Sequence, residues 1–415
     1  MPIPEGFVEN AILPRMSKRE RDRRWAIIRA QMALFGVEAL LIWGNDRSNG
    51  CASANLRYIT HIAGHGGIAI FPLSGHPVVF AGSTHTSIPT SPFLYTQDWV
   101  DDIRPLTGVR TVVSVLREMR LANARLGLVG YGGHGRDIIT YQEYAELISG
   151  LPQVEFFNAT GILEGARMRK SEEEVSMLRR AALVARAMLN VMIEESRPGM
   201  PECEIYAKMV HEQIRLGGEP YVFICLSSGA VGGERSLIHA QTQPFCPTTR
   251  RLQESDLIIS EFHGSYGGYL AAVEASLFIG TPPLELTRMY DIAGEALRSG
   301  LEKFYPGVPL REVWEAIRKP VLDAGMDYVE CGFHGHGLGS PEFPTVIHPP
   351  GKGNMAGQGL ESVPLEENMV FGINIDIHDP AWRKDVGVMY GDTVLVTSNG
   401  PERLVGVEPK LIQAR

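Results

Sequence analysis

A chain of 415 residues with 44% apolar and 21% charged residues is expected to be a soluble globular protein, too long for one ordinary core and divided into two or perhaps three domains. Its net charge of -9 excludes a phosphate-backbone binder and argues against an anionic membrane surface, so neither nucleic acid nor membrane is an expected partner. The five cysteines, Cys51, Cys203, Cys225, Cys246 and Cys331, are scattered, odd in number and without CxxC spacing, which suggests neither a disulfide framework nor a zinc cage.

The first stretch, MPIPEGFVENAILPRMSKRERDRR, has no apolar core of signal-peptide length. No later run reaches the roughly 20 apolar residues of a membrane span, so a cytoplasmic protein is expected. Trp25, Ile28, Met32 and Phe35 share one helical face that stops at Gly36, and the apolar run 39–43 follows as a buried strand. Residues 68–71 and 77–81 flank Ser74 and Gly75 as a hairpin, and strands at 126–129 and 154–157 bracket a helix near 141–148. These elements make a smaller α/β domain over residues 1–160.

The second domain, residues 161–415, opens on RMRKSEEEVSMLRRAALVARAML, where Ser171 and Glu174 have capping-box spacing and Val175, Leu178, Ala182, Ala185 and Leu189 form an apolar stripe. A helix over about 202–216 ends at Gly217-Gly218, after which strands dominate until helices near 286–302 and 310–325. Helices on a mostly antiparallel sheet make this domain α+β.

Several residues could carry chemistry. His239 lies in the polar, proline-bearing stretch SLIHAQTQPFCPTTRRL, where it is either a proton-transfer group or an ordinary surface histidine. Glu274 sits in the apolar strand LAAVEASLFIG, where a carboxylate is costly unless it is functional or ion-paired. Glu261 and His263 are two apart in IISEFHG and leave the same strand face. His334 and His336 lie in the glycine-rich CGFHGHGLGSPEF, too few histidines for a zinc site on their own. In NMVFGINIDIHDPAWRKDVGVMYGDTVLVTSNG, Asn374 and Asp376 share one strand face, as do Tyr390 and Asp392, and ordinary sheet decoration is the plain reading of both pairs.

Taken in order, RKSEEEV, DLIISEF with GGYLAAVEASLFIG, GHGLG, LEENMVFGIN and GDTVLVTSNGPERL resemble the pita-bread family of methionine aminopeptidase, prolidase, aminopeptidase P and creatinase. The resemblance covers nearly the whole chain and implies an α+β fold, a pita-bread catalytic domain preceded by a smaller α/β domain. Metal-dependent members supply two Asp, one His and two Glu to a pair of divalent ions. Those places fall here on Glu261, Ala272, His336, Asn374 and Gly391, too few anionic ligands for two ions about 3.5 to 4 Å apart. Creatinase, the metal-free member, is the nearer chemical match. Glu274 stands where its hairpin glutamate does, and HAQTQPFCPTTRRL resembles the segment of its catalytic histidine, making His239 the counterpart. NLRYITHIAGHGGIA has no Arg at creatinase's carboxylate-binding place, and the second guanidinium-binding Glu falls near Tyr390, so creatine is not the expected substrate.

The resemblance therefore implies a metal-independent, creatinase-like hydrolase of a small polar molecule, cutting a non-peptide C-N bond without a cofactor. His239 would move the proton, Glu274 would hold a cationic or N-H-bearing part of the substrate, and His336 would donate to developing negative charge. Glu261, His263, His334, Asn374 and Tyr390 would line the pocket. A homodimer is implied, with His61 or His65 either completing the neighbouring site or serving as ordinary loop histidines. The alternatives are a mononuclear-metal hydrolase or lyase at Glu261, His263 and His336, a metallo-aminopeptidase or prolidase-like enzyme, and a non-catalytic pita-bread binding protein.

Overall fold

The computed structural model describes residues 14–44, 54–62, 66–81, 98–130, 139–219, 223–240, 247–346 and 362–414. The chain divides into two compact units. One runs up to Glu173 and takes in Leu338–Phe343, and the other consists of Glu174–Gly337 and Pro344–Arg415.

In the first unit, α1 (Lys18–Leu34) is capped by the Ser17 hydroxyl, which accepts from the Glu20 N-H at 3.1 Å. Its buried face carries Trp25, Ile28 and Met32, and the chain leaves the helix through Gly36 at φ +64. Strands β1 (Ala39–Gly44), β2 (Gly67–Pro72), β3 (Val78–Ala81), β4 (Asp102–Pro105), β5 (Arg125–Val129) and β6 (Glu155–Asn158) form a mixed sheet in the order β4-β3-β2-β1-β5-β6. Helices α2 (Ala54–Thr60), α3 (Val109–Glu118), α4 (Tyr141–Gly150) and α5 (Thr160–Met168) complete the unit. Trp43, Ile70, Phe80, Val112, Leu116, Leu126 and Leu147 belong to its core. α3 is not legible in the sequence, because its β-branched run TVVSV suits a strand as well as a short helix.

The second unit begins in α6 (Glu172–Glu195) and adds α7 (Glu202–Arg215), α8 (Leu284–Leu301) and α9 (Leu310–Asp323). Its strands are β7 (Ile224–Ala230), β8 (Asp256–Tyr266), β9 (Tyr269–Ile279), β10 (Asp327–Gly335), β11 (Glu342–Val346), β12 (Val370–His378), β13 (Gly387–Thr397), β14 (Gly400–Arg403) and β15 (Ile412–Ala414). The sheet runs β11-β10-β12-β13-β9-β8-β7, with β14 beside β13 and β15 parallel to β9. β8 and β9 are joined by Gly267 and Gly268, at φ +59 and +82, a turn that needs left-handed backbone at both positions.

That hairpin decides which face is covered. A Cβ on Gly264 would lie 2.3 Å from Ala185 N and 2.4 Å from Ala181 O, so α6 rests directly on the β8 face that Gly264 shares with Phe262. Glu261 and His263 therefore project from the opposite face.

Candidate active site

Antiparallel register lays the polar residues of that opposite face out in rows. In the central row, Glu261 stands opposite Glu274, Glu274 opposite Gly391, and Gly391 opposite Asn374. One row away, Asp376 lies between Met389 and Glu330. On the other side, His263 pairs with Ala272, and Gly372 lies between Thr393 and His334. Side chains two apart on a strand share a face, so five strands deliver these groups to one surface.

His239 reaches the same surface from the loop after β7. Leu237 N-H donates to Asp385 O at 2.7 Å and Gly387 N-H to Leu237 O at 2.9 Å, which fastens the loop to the start of β13. His239 Nε2 then lies 3.1 Å from Asp376 Oδ2, an ion-pair contact that lacks the alignment of a hydrogen bond. Donor atoms of His239, Glu330 and Asp376 all lie within 4.8 Å of one another. Asn374 links this group to the central row by donating from Nδ2 to Glu274 Oε1 at 2.5 Å and to Glu330 Oε2 at 3.2 Å.

The cluster is buried and short of positive charge. Glu274, Asn374 and Asp376 are 1%, 4% and 0% exposed, whereas Glu330 is half-buried and forms the accessible side. Among the described residues no N-H or hydroxyl donates a hydrogen bond to Glu274 Oε2, Asn374 Oδ1 or either Asp376 carboxylate oxygen. Burial, then Asp376, Glu261 and Glu330, push the Glu274 carboxyl well above its usual range. Burial, then Asp376 and Glu261, raise Glu330 to about 8. Burial pulls His239 down, but the contact with Asp376 and the charges of Asp376, Glu330 and Glu261 outweigh it and raise the imidazole to about 9. The arrangement can share protons, orient an imidazole and receive a cation.

The other expected residues fall into separate places. His263 stacks on Phe223 at 4.6 Å and meets His336 edge-on at 5.5 Å, while His334 stacks on His336 at 4.8 Å. Gly372 makes room for this group, since a Cβ there would sit 2.5 Å from His336 Nε2. Glu261, His263 and His336 do not gather donors around one point. Among the described residues only His239, Glu330 and Asp376 do so. Tyr390 points to the other sheet face, where its hydroxyl donates to Val407 O at 2.9 Å and accepts from Arg403 Nη2 at 2.8 Å. His61, in the first unit, packs 5.0 Å from the Trp99 ring, and burial followed by Arg57, Arg24 and Arg15 lowers its pKa to about 3. His65 lies outside the described residues.

Of the cluster, the sequence does not single out Glu330, and it marks Asp376 only as a strand-face neighbour of Asn374, with sheet decoration as the plain reading. A further signal for Asp376 is its place between Ile375 and Ile377 in an apolar strand. Glu330 had less, because a register shift between Tyr328 and Glu330 breaks the alternation that would have assigned its face.

The description "Metallopeptidase family M24" matches residues 176–398, and "Creatinase/Prolidase N-terminal domain" matches residues 24–169. The chain belongs to metallopeptidase family M24. It is 28% identical over 260 residues to a Xaa-Pro dipeptidase of Pyrococcus horikoshii, covering 62% of this chain and 68% of that protein. It is 28% identical over 246 residues to a probable dipeptidase PepE of Mycobacterium tuberculosis, covering 58% and 60%. In fold, it is similar to an X-Pro aminopeptidase from Thermotoga maritima at a TM-score of 0.74 and 17% identity, over 94% of this chain and 99% of that one. A prolidase from Pyrococcus horikoshii gives 0.71 at 20% identity, over 94% and 99%. The two-domain pita-bread architecture is thereby established for this M24 protein.

These likenesses correct the expected chemistry. The reading of a metal-independent, creatinase-like hydrolase of non-peptide C-N bonds is overturned, because the family is one of metallopeptidases and the relatives are named as dipeptidases. The residues at the family's five ligand places nevertheless do not fit a pair of ions. A Cβ on Gly391 would lie 2.8 Å from Glu274 Cβ, Cγ and Oε2, so the Glu274 side chain fills the space where a ligand from that position would start. Asn374 presents its amide nitrogen to Glu274 and Glu330, and Ala272 offers no donor. Beside the family's five ligand places, the acidic groups Asp376 and Glu330 of this chain lie one row away on the same sheet.

Proposed function

We propose that this M24 protein is a hydrolase that cleaves the peptide bond of a short, dipeptide-sized substrate at the cluster of His239, Asp376, Glu330 and Glu274. The single observation that carries the reading is the buried contact of His239 Nε2 with Asp376 Oδ2, 3.1 Å, inside a ring of carboxylates on the M24 sheet. The named activities of the curated relatives support the choice of a peptide bond.

In this mechanism Asp376 orients the His239 ring, and the imidazole passes a proton between water and the leaving nitrogen. Water adds to the carbonyl carbon as one O-H bond breaks, the C-N bond breaks, and the same proton leaves on the amine, so peptide plus water gives two shorter products. Burial, then Asp376, push the Glu274 carboxyl well above its usual range, which favours the protonated form that donates to the substrate. Glu261, opposite Glu274 in the central row, supplies negative charge for a cationic amino terminus. No step is assigned to the paired ions of the family, which these residues do not fit. The reading includes a cytoplasmic homodimer. Among the described residues no helix is long and apolar enough to cross a membrane.

The test is release of free amino acids from a dipeptide panel that includes Xaa-Pro sequences, followed by mass spectrometry with and without added divalent ions. Turnover of at least one dipeptide class is expected, with a loss of about 10²- to 10⁴-fold in His239→Asn. No release from any dipeptide by the parent chain, or equal release by His239→Asn, contradicts the proposal.

A further inference from the structure

The acidic cluster poses a problem that its own residues do not solve. Burying a carboxylate without a cation or hydrogen-bond donors is costly, and Asp376 is fully buried among acidic groups with His239 as its one cationic contact among the described residues. No cation, amide or hydroxyl among the described residues hydrogen-bonds Asp376 Oδ1 or Glu274 Oε2, and the two carboxyls lie against each other with at most one proton to share. No Lys or Arg among the described residues pairs with Glu274, Glu330 or Asp376.

We propose that His239, Glu330 and Asp376 bind one divalent first-row transition-metal ion, at a place distinct from the family's paired-ion positions. This rests on the reading that the cluster is the functional centre; an ion on His239 Nε2 takes the place of the proton the imidazole carries there, so the proton-transfer role given to His239 belongs to the ion-free form. Nitrogen and carboxylate ligands sit about 2.0 to 2.2 Å from such an ion, so donors sharing it are separated by at most about 4.4 Å. The observed grouping within 4.8 Å reaches that with small side-chain shifts. An imidazole with two carboxylates favours zinc, manganese, iron or cobalt over calcium or magnesium, which prefer all-oxygen sites. Neutral His239 and two carboxylates around a divalent ion give a group without net charge, removing the field that the apo cluster carries. Asn374, donating to Glu330, and Glu274, beside Asp376, orient two of the ligands.

The packing at Gly391 bars a ligand from that place. With no side chain at 391, Glu274 occupies that space and presses its carboxyl toward Asp376. A ligand at 391 and the observed Glu274 conformation exclude each other.

The experiment uses the full chain, stripped with a chelator, dialysed against Zn²⁺, Mn²⁺ or Co²⁺ and measured by elemental mass spectrometry. About one ion per chain is expected, and cobalt loading is expected to give a visible absorption band that changes in His239→Asn. Asp376→Asn and Glu330→Gln should weaken binding by more than about tenfold, while His336→Gln should leave it within about twofold. If Asp376→Asn does not fold, Glu330→Gln, at a half-buried position, decides alone, and unchanged affinity there overturns the site. Retention of no ion at saturating metal overturns it, as does loss of the ion in His336→Gln rather than in Glu330→Gln. An ion bound here without dipeptide turnover leaves the site standing and contradicts the peptidase reading. Turnover by a chain that holds no ion does the reverse.

Discussion

Glu202 and Glu274 are each 1% exposed, belong to the same compact unit, and have opposite surroundings. Glu202 accepts from Ser228 N-H and Oγ at 3.0 and 2.6 Å, from Thr248 N-H and Oγ1 at 3.0 and 2.7 Å, and from Arg235 Nη1 at 2.7 Å. Beside it, Arg250 forks onto both oxygens of Asp256 at 2.6 and 2.8 Å. Burial pushes Glu202 up, but those hydrogen bonds and Arg235 outweigh it and hold the carboxyl below its usual value. Among the described residues Glu274 has one amide donor, Asn374, and three acidic neighbours, so burial and repulsion both raise it. Equal burial therefore says nothing about charge state, because the partners decide it. The first cluster brings its own cations and braces the fold. The second leaves room for one from outside.

The contrast can be broken from the braced side first. Arg250→Ala strands Asp256, which is 0% exposed, and should cost about 3 to 5 kcal/mol in urea denaturation. A loss under 1 kcal/mol would show that the network is not structural. Gly391→Ala drives a Cβ into Glu274 and should cost about 1 to 3 kcal/mol by overpacking, with metal affinity falling alongside. Glu274→Gln keeps the Asn374 hydrogen bond but removes the acidic group. It should stabilise the ion-free protein by about 1 to 2 kcal/mol, the opposite sign to Arg250→Ala.

The smallest effect concerns a half-buried base. His61 is held neutral by burial and by Arg57, Arg24 and Arg15, with its folded pKa lowered to about 3. As pH falls below the unfolded value near 6.5, the unfolded chain takes up a proton that the folded chain refuses. Stability from this residue is thus present above about pH 6.5 and is lost toward pH 3. Replacing it in His61→Asn should flatten the acid side of the stability profile by up to about 1 kcal/mol between pH 6 and 5, and an unchanged slope would place the acid sensitivity elsewhere.

Local pattern carried much of the architecture. Alternation in DLIISEFHGSY and YLAAVEASLFI, with two glycines between them, suffices for the hairpin, and Glu274 stood out as a carboxylate in an apolar strand. His239 was legible as a loop histidine, but its partner was not. Asp376 and Glu330 meet across β12 and β10, which pair only through long-range register, and a bulge in β10 hides which way Glu330 faces. Tyr390 shows the cost of a one-residue step. It neighbours Gly391, a position the family comparison singles out, yet strand alternation turns it to the opposite face. The missing ligands were readable at each position. That acidic groups had gathered one row away was not, since it depends on which strands lie side by side.

The most direct measurement is anomalous diffraction from crystals of the full chain soaked with zinc, recorded on both sides of the zinc edge. The account predicts one strong peak between His239 Nε2 and the carboxylates of Glu330 and Asp376. A peak beside His336 and Glu261 instead, or none at saturating zinc, would contradict it.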